Sequence, residues 1–308
     1  MDQQQYLKNL AVPEGVVDVV LDTDAFNEID DQYAICYLLG HREKVNVKGI
    51  CAAPFSNAKT PDPREGMEKS YHEIIKLLSL TGRSAMEKDV YRGSNIFLPD
   101  ENTPVESEAA DYMAQLAAAY TPENPLYIVA IGAISNVASA LLKNPRMKDH
   151  CVIVWLGGNA LEMPKGANEF NLRQDVAAAR VVFGSGVPLV HVPCRGVVDR
   201  FLTTKPELDC YLKGKNALCD YLYRSTVEYV EEYAAGKPWS KPIWDVVAVA
   251  WLLNDNARFL REKIVSCPMP RYDWDYECSD DARPVKYVYW VDRDALFEDL
   301  FRILEESK

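Results

Sequence analysis

Between residues 15 and 200, short apolar runs of strand length alternate with longer amphipathic stretches. The runs are rich in β-branched residues and lie at 15–21, 45–52, 126–131, 152–156 and 188–192. Between them, apolar residues recur at helical spacing, for example over 65–80, 107–120 and 175–183. Strands that are joined through helices run parallel, and a parallel sheet is covered by helices on both faces. The pattern therefore predicts an α/β fold with a mostly parallel, Rossmann-like central sheet and helices on both faces.

The last third of the chain has a different pattern. It becomes more helical from about residue 205, with predicted helices over 206–235 and 244–253. The segment 272–290 is aromatic and charged, and we expect it to add a hairpin or edge strands. Since no long linker interrupts the sequence, we expect a single domain over residues 1–308. Its α/β core would span about 15–200, and its helical and aromatic C-terminal part about 205–308.

Charge and composition exclude several classes of partner. The chain has 46 acidic and 34 basic residues, a net charge of −12. Nucleic acids and anionic membrane surfaces attract basic faces, so we expect neither as a partner. No apolar run reaches the roughly 20 residues of a membrane span, and the N-terminal residues do not resemble a signal peptide. The eight cysteines are scattered without a CxxC motif, which favours reduced cysteines in a cytoplasmic protein.

Several carboxylates gather where the first predicted strand ends. Asp22 and Asp24 follow the apolar run directly, and Asp30 and Asp31 open the next predicted helix, with Glu28 between the two pairs. Ligand sites of open α/β sheets lie at the carboxyl ends of the strands. Carboxylates forced together repel one another, and a hard divalent cation offsets that repulsion. Capping explains acids at a helix start, but it does not explain Asp22 and Asp24.

Two further polar segments are ambiguous when taken alone. After the run at 152–156, hydrogen-bonding groups lie close together at Asn168, Glu169 and Asn171. They would suit the binding of sugar hydroxyls, but an ordinary polar loop explains them equally well. Asp245 follows Trp244 and opens a wholly apolar helix, as either a helix cap or a buried ligand.

Together and in this order, the segments resemble the inosine–uridine-preferring nucleoside hydrolase family. Members of that family have a strand ending in D-x-D, an Asp pair that opens a helix, G-x-x-[ST]-N after a later strand, then E-F-N and a final acid before an apolar helix. The corresponding residues here are Asp22 and Asp24, Asp30 and Asp31, 132–136 (GAISN), 169–171 (EFN) and Asp245. The resemblance extends from residue 16 to about 255.

The resemblance implies a Ca²⁺-dependent enzyme that hydrolyses the N-glycosidic bond of ribonucleosides. Asp24 would bind Ca²⁺ and deprotonate water, with Asp31, Asp245 and the backbone carbonyl of Ile131 as further Ca²⁺ ligands. Asp22 would lie behind the site. The residues that contact the substrate would be mostly polar: Asp30, Asn57, Asn168, Glu169, Asn171 and Trp244. A homodimer or homotetramer is also implied.

The sequence departs from the family pattern at three places. The loop between Asp24 and Asp30 is two residues longer, so Asn27 or Glu28 is expected to enter the site. Trp244 stands where many purine-hydrolysing members have a histidine that protonates the leaving base. Met163 replaces an asparagine that the family often has; Asn159 or Asn168 would compensate, or the substrate is a modified nucleoside or another ribosyl compound.

Three functions remain open at this point. The first is Ca²⁺-dependent hydrolysis of ribonucleosides or related ribosyl compounds, with Tyr229 and Tyr233 as candidate acids in place of the missing histidine. The second is a catalytically weakened protein of the same fold that binds ribose or nucleosides. The third is a phosphatase of the haloacid dehalogenase type, which also begins with D-x-D but has Thr or Val where Phe26 stands.

Overall fold

The predicted strands join one central sheet in the computed structural model, which describes residues 1–307. In chain order the strands are β1 (Val17–Thr23), β2 (Val45–Ala52), β3 (Val90–Arg92), β4 (Leu126–Ala130), β5 (Cys151–Leu156), β6 (Leu189–Val192), β7 (Leu202–Thr204), β8 (Ser240–Pro242), β9 (Leu260–Ser266), β10 (Met269–Pro270), β11 (Tyr276–Glu277) and β12 (Pro284–Val291). The α-helices are α1 (Gln3–Asn9), α2 (Asp30–Gly40), α3 (Pro63–Leu80), α4 (Glu108–Leu116), α5 (Ser135–Lys143), α6 (Met147–His150), α7 (Phe170–Gln174), α8 (Val176–Gly184), α9 (Lys205–Tyr211), α10 (Ala217–Ala234), α11 (Val246–Trp251) and α12 (Arg293–Glu306).

The central sheet has eight strands in the order β3-β2-β1-β4-β5-β6-β12-β9. All neighbouring strands pair parallel except β12 and β9, which pair antiparallel at one edge. From β1 the chain adds strands outward to β3 on one side, and it then adds β4 to β6 on the other side of β1. The strand order therefore reverses between the parallel neighbours β1 and β4. Ligand sites of such sheets lie in the crevice outside the carboxyl ends of the strands at this reversal. The predicted α/β fold class is confirmed.

The C-terminal part of the chain contributes to the same sheet. Strand β12 pairs with β6, and β9 then pairs with β12. The aromatic segment therefore adds an inner strand to the sheet, whereas the edge strand β9 comes from the residues before it. The short strands β10 and β11 form a separate antiparallel pair, as do β7 and β8. Since the C-terminal strands extend the sheet, the chain forms a single α/β domain.

Each face of the sheet carries its own apolar core. On β1, Val19 and Leu21 pack into one core together with α2, α3, α11 and α12, and Val20 packs into the other with α4, α5 and α8. This alternation explains why the β1 run is apolar at successive positions: both of its faces are covered.

Gly40 is the last residue of α2 and does not have a positive φ, so it is not a left-handed cap of the helix. A Cβ on Gly40 would lie 2.2 Å from Cγ2 of Ile303 on α12. The glycine therefore allows α12 to pack closely on α2.

Two sequence expectations concern the chain as a whole. Within residues 1–307, no helix is long and apolar enough to cross a membrane. The eight cysteines are all free thiols, and all but Cys210 and Cys278 are buried.

Candidate active site

A cleft of about 350 Å³ lies at the carboxyl ends of β1 and β4, where the strand order reverses. Nine of the eleven site residues that the resemblance implies line it: Asp24, Asp30, Asp31, Ile131, Asn168, Glu169, Asn171, Trp244 and Asp245. They come from five separate places in the chain, so the fold brings together segments that are up to about 220 residues apart. Asp22 and Asn57 do not line this cleft.

The floor of the cleft is a cluster of buried carboxyl groups. Asp30, Asp31 and Asp245 each place an oxygen within 4.8 Å of the others, and each side chain is at most 3% exposed. Asp24 is equally buried, and its Oδ2 atom has no hydrogen-bond partner. Four buried carboxyl groups and one orphaned oxygen match the hard oxygen donors that a divalent cation requires.

Burial and mutual repulsion shift the ionisation of this cluster. Burial raises the pKa of Asp30 to about 6 and that of Asp31 to about 7, with the Asp31 shift increased by the charge of Asp30. The pKa values of Asp24 and Asp245 also lie well above their ordinary range, first because of burial and then because of the neighbouring aspartates. A cation at this position would favour the ionised forms instead.

Helix capping does not account for the acids at the two helix starts. The residue before α2 is Ile29, and Asp30 is already the first residue of the helix. Asp245 precedes α11, but its side chain makes no capping hydrogen bond. Helices α2 and α11 pack against each other. Their first turns therefore present the two carboxyl groups to one another.

Residues 132–136 hold the end of β1 in place. The Asn136 side chain donates hydrogen bonds to Asp22 Oδ1 (2.8 Å) and to the carbonyl of Ala52 (3.1 Å). These contacts fix the buried Asp22 side chain, and burial raises the pKa of Asp22 to about 7. A supporting role for Asp22 behind the site stays a prediction. Gly132 lies so close to Asp24 that a Cβ would stand 2.9 Å from its Oδ1.

Glu169 and Asn171 combine structural contacts with exposure to the cleft. Glu169 accepts hydrogen bonds from the backbone N–H groups of Gly158 (2.8 Å), Asn171 (3.0 Å) and Leu172 (3.1 Å), so it caps α7. The Asn171 side chain donates to the carbonyls of Ile131 (2.9 Å) and Leu156 (3.0 Å). It ties together the ends of β4 and β5. A carbonyl has a second lone pair, so Ile131 retains an acceptor site for a further ligand.

The longer loop after β1 enters the cleft as expected, and both Asn27 and Glu28 line it. Glu28 forms an ion pair with Lys241, a buried lysine that the sequence reasoning missed. The Lys241 ammonium lies 4.4 Å from the ring centre of Trp244 and 5.3 Å from that of Tyr229. The available signal was a lysine between aromatic residues and prolines just before Asp245.

Asn57 lies apart from the other predicted residues. It borders a neighbouring cavity of about 390 Å³, which meets the cleft at Asn27 and Glu28. Its side chain donates a 3.0 Å hydrogen bond to Asn27 Oδ1. The structure therefore does not place Asn57 in the cleft, and a contact with ribose stays a prediction for it.

The two candidate acids on α10 also lie outside the cleft. Tyr229 borders the neighbouring cavity, and burial raises its pKa to about 12; Tyr233 is 62% exposed. On the opposite side, Asn159 and Asn168 both line the cleft, whereas Met163 does not. Arg173 and Arg195 also line the cleft, and the sequence reasoning did not anticipate either of them.

Comparison with known proteins agrees with this geometry. The family model described as inosine-uridine preferring nucleoside hydrolase matches residues 19–298. The chain is 25% identical over 250 residues to the pyrimidine-specific ribonucleoside hydrolase RihA of Citrobacter koseri, covering 73% of this chain and 76% of that protein.

Solved structures share the fold. A purine-preferring ribonucleoside hydrolase from Gardnerella vaginalis matches with a TM-score of 0.75 and 20% identity, covering 94% of this chain and 98% of that one. The plant nucleoside hydrolase PpNRh1 matches with a TM-score of 0.74 and 19% identity, covering 94% and 99%. Because the family match spans most of the sequence, the chain belongs to the inosine-uridine preferring nucleoside hydrolase family, whose members are N-glycosyl hydrolases.

Proposed function

We propose that this protein hydrolyses the N-glycosidic bond of ribonucleosides, or of a related ribosyl compound, to ribose and free base with the help of Ca²⁺. The observation that carries the proposal is the buried cluster of Asp24, Asp30, Asp31 and Asp245 at the floor of the cleft. Family membership supports the same reaction and removes the phosphatase alternative. The relatives named above differ in base preference, so the proposal does not include a particular base.

The donor set is suited to Ca²⁺. Asp24, Asp31, Asp245 and the carbonyl of Ile131 would hold the ion, because Ca²⁺ accepts several oxygen ligands in a flexible shell. A bound Ca²⁺ would supply positive charge that makes nearby water easier to deprotonate.

Each residue of the cleft would have its own role in the reaction. Asp24, with its unpartnered Oδ2, would accept the proton of the attacking water. Asp30, Asn168, Glu169 and Asn171 would hold ribose hydroxyls, each through lone pairs or donors not already used. As the bond to the base breaks, the sugar acquires oxocarbenium character, and the surrounding carboxylates stabilise its positive charge. Trp244 would stack against the base.

The second candidate is a protein that binds ribose or nucleosides but has lost efficient catalysis. Two observations favour this candidate. Trp244 stands where many family members have the acid, and Met163, which replaces a family asparagine, does not line the cleft. Tight binding of ribose and Ca²⁺ without turnover of any ribosyl compound would support this candidate instead. A homodimer or homotetramer and a cytoplasmic location stay predictions.

Asp24→Asn tests the proposed catalytic role. We expect kcat for ribose release to fall by about 10²–10⁴-fold, because the amide cannot accept the proton of water. Calcium affinity, measured by titration calorimetry, should weaken at the same time because one anionic ligand is lost. Asp281→Asn removes an exposed carboxylate elsewhere and should change neither quantity. Full activity of Asp24→Asn would show that another group is the base.

A further inference from the structure

Two arginines line the cleft without a carboxylate partner. Arg173 and Arg195 both border it, and both are exposed, although six carboxyl groups line the same cleft. Among residues 1–307, neither guanidinium group forms an ion pair, and the cleft carboxylate of Glu28 is paired with Lys241 instead. Since a guanidinium group keeps its proton, two positive charges in the cleft are available to a ligand.

Hydrogen bonds connect the two arginines through two asparagines. Arg173 Nη1 donates to Asn168 Oδ1 (3.2 Å), and Asn159 Nδ2 donates to the carbonyl oxygen of Asn168 (3.3 Å). The backbone N–H of Arg195 in turn donates to Asn159 Oδ1 (3.1 Å). All four residues line the cleft, and Asn159 is only 5% exposed. They form one wall of the cleft, which we call the arginine wall.

Close backbone packing holds Arg195 in this wall. Its carbonyl oxygen accepts a hydrogen bond from the Ala160 N–H (2.9 Å). Gly196 has a φ of +86°, and a Cβ there would lie 2.7 Å from Ala160 Cβ and 3.3 Å from the Met163 sulfur. Met163 therefore packs against the loop that carries Arg195, and the polar contacts of this wall come from the arginines and asparagines instead.

The chemistry of the arginine wall suits a phosphoryl group. A guanidinium group presents N–H donors in a planar fork that matches two phosphate oxygens, and such charge-assisted hydrogen bonds are stronger than neutral ones. The side-chain amides of Asn159 and Asn168 carry further N–H donors, whereas the carboxyl oxygens elsewhere in the cleft are acceptors suited to hydroxyl groups. A ligand with hydroxyl groups at one end and a phosphate at the other would therefore be oriented by the cleft.

The proposed function determines which sugar position carries the phosphate. C1′ of ribose would face Asp24, and the neighbouring 2′- and 3′-hydroxyl groups would be held by carboxyl oxygens at the floor. C5′ is exocyclic and bears the remaining hydroxyl group, so a substituent there extends away from the floor. On the basis of the proposed function, we infer that the preferred substrates are ribonucleoside 5′-monophosphates, with the phosphate bound by Arg173 and Arg195.

The reaction leaves the phosphate ester unchanged. Water oxygen bonds to C1′, the C1′–N bond breaks, and its electron pair stays on nitrogen. The proton lost from water goes to Asp24 and then to solvent, and the released base takes up a proton from solvent. The products are ribose 5-phosphate and the free base.

The test measures release of free base by the calcium-loaded protein from matched pairs: uridine with uridine 5′-monophosphate, and inosine with inosine 5′-monophosphate. We expect kcat/KM to be at least about tenfold higher for each monophosphate, since hydrogen bonds between guanidinium and phosphate are charge-assisted. Equal or higher kcat/KM for both nucleosides would overturn the inference and leave the proposed function intact. Orotidine, whose negative charge is on the base, should gain nothing over uridine, and a gain as large as that of uridine 5′-monophosphate would also overturn the inference.

Arg173→Gln and Arg195→Gln test the arginine wall directly. Each should lower the ratio of kcat/KM between uridine 5′-monophosphate and uridine at least about fivefold, because glutamine has neither the charge nor the fork of donors. Arg200→Gln removes an exposed arginine that does not line the cleft and serves as the matched control, with an unchanged ratio expected. An unchanged ratio in both cleft variants would overturn the inference, because another group would then recognise the phosphate.

Binding separates failure of this inference from failure of the proposed function. Calorimetry should show ribose 5-phosphate binding at least about tenfold more tightly than ribose, with the difference lost when both arginines are replaced by glutamine. Release of no base from any compound, together with this binding difference, would overturn the proposed hydrolysis and support phosphate recognition by the arginines. Equal binding of the two sugars would overturn the inference whether or not the protein is an active hydrolase.

Discussion

At the scale of single residues, Trp244 distinguishes this cleft from the pattern of purine-hydrolysing relatives. Its indole lines the cleft, and its N–H group, buried within the protein, has no hydrogen-bond partner. The Lys241 ammonium lies 4.4 Å from the centre of the ring. Because the indole cannot transfer a proton, we propose that Trp244 contributes a flat surface against which a base stacks.

Trp244→Ala should therefore change base preference more than ribose affinity. We expect the ratio of kcat/KM between purine and pyrimidine ribosides to change by about tenfold, since stacking on one aromatic side chain contributes about 1–3 kcal/mol. Trp244→Phe keeps a stacking surface and should change the ratio less. Steady-state kinetics and ribose binding by calorimetry measure both effects. An equal loss for all ribosides and for ribose would show that Trp244 acts on the site as a whole.

At the scale of elements, the strands and helices that follow simple periodicity were predictable from the sequence. Strands β1, β2, β4, β5 and β6 were recognisable because burial on both faces makes them continuous apolar runs. The three-residue strand β3 and the pairing of β12 with β6 were not, because short strands and long-range pairing leave little local signal. The grouping of Asp24, Asp31 and Asp245 came from the resemblance to the family. The ion pair of Lys241 with Glu28 joins residues 213 positions apart, so it left no local signal.

The turn after β4 offers a test of how an element positions the site. Gly132→Ala would bring a Cβ to 2.9 Å from Asp24 Oδ1, so the carboxyl group has to move. We expect calcium affinity to fall at least about tenfold, since a displacement of about 1 Å disturbs a ligand set. Gly184→Ala is the matched control, because its Cβ would make only an ordinary 3.5 Å contact with Met269. Unchanged affinity in Gly132→Ala would show that the turn does not constrain Asp24.

At the scale of the whole molecule, a buried carboxylate joins the C-terminal helix α12 to helix α2, which covers one face of the sheet. Asp299 on α12 is 1% exposed and accepts hydrogen bonds from Tyr37 on α2 (2.6 Å) and from Arg302 (2.8 Å). Although burial opposes ionisation, contacts from His41, Tyr37 and Arg302 hold the pKa of Asp299 below its ordinary value. This cluster and the packing of α12 against Gly40 attach the C-terminal part of the chain to the core.

Asp299→Asn should lower the free energy of unfolding by about 2 kcal/mol at pH 7, because the buried carboxylate that accepts hydrogen bonds from Tyr37 and Arg302 loses its charge. A lowered pKa in the folded state gives stability that is present above the unfolded pKa of about 4 and is lost as pH falls below it. The difference between wild type and variant in urea unfolding should therefore shrink below about pH 4. Asp294→Asn, on the exposed face of α12, should have little effect at either pH. A constant difference between pH 7 and pH 3 would contradict the role given to the Asp299 charge.

The central claim is that the buried carboxylate cluster binds Ca²⁺ for hydrolysis of a ribosyl–nitrogen bond. The most direct test measures ribose release from a panel of ribosides as Ca²⁺ is removed by a chelator and restored, alongside the calcium content of the purified protein. The account predicts about one Ca²⁺ per chain, activity that disappears with the ion and activity that returns with it. Ribose release that persists in calcium-free protein, or bound calcium without release from any riboside, would contradict it.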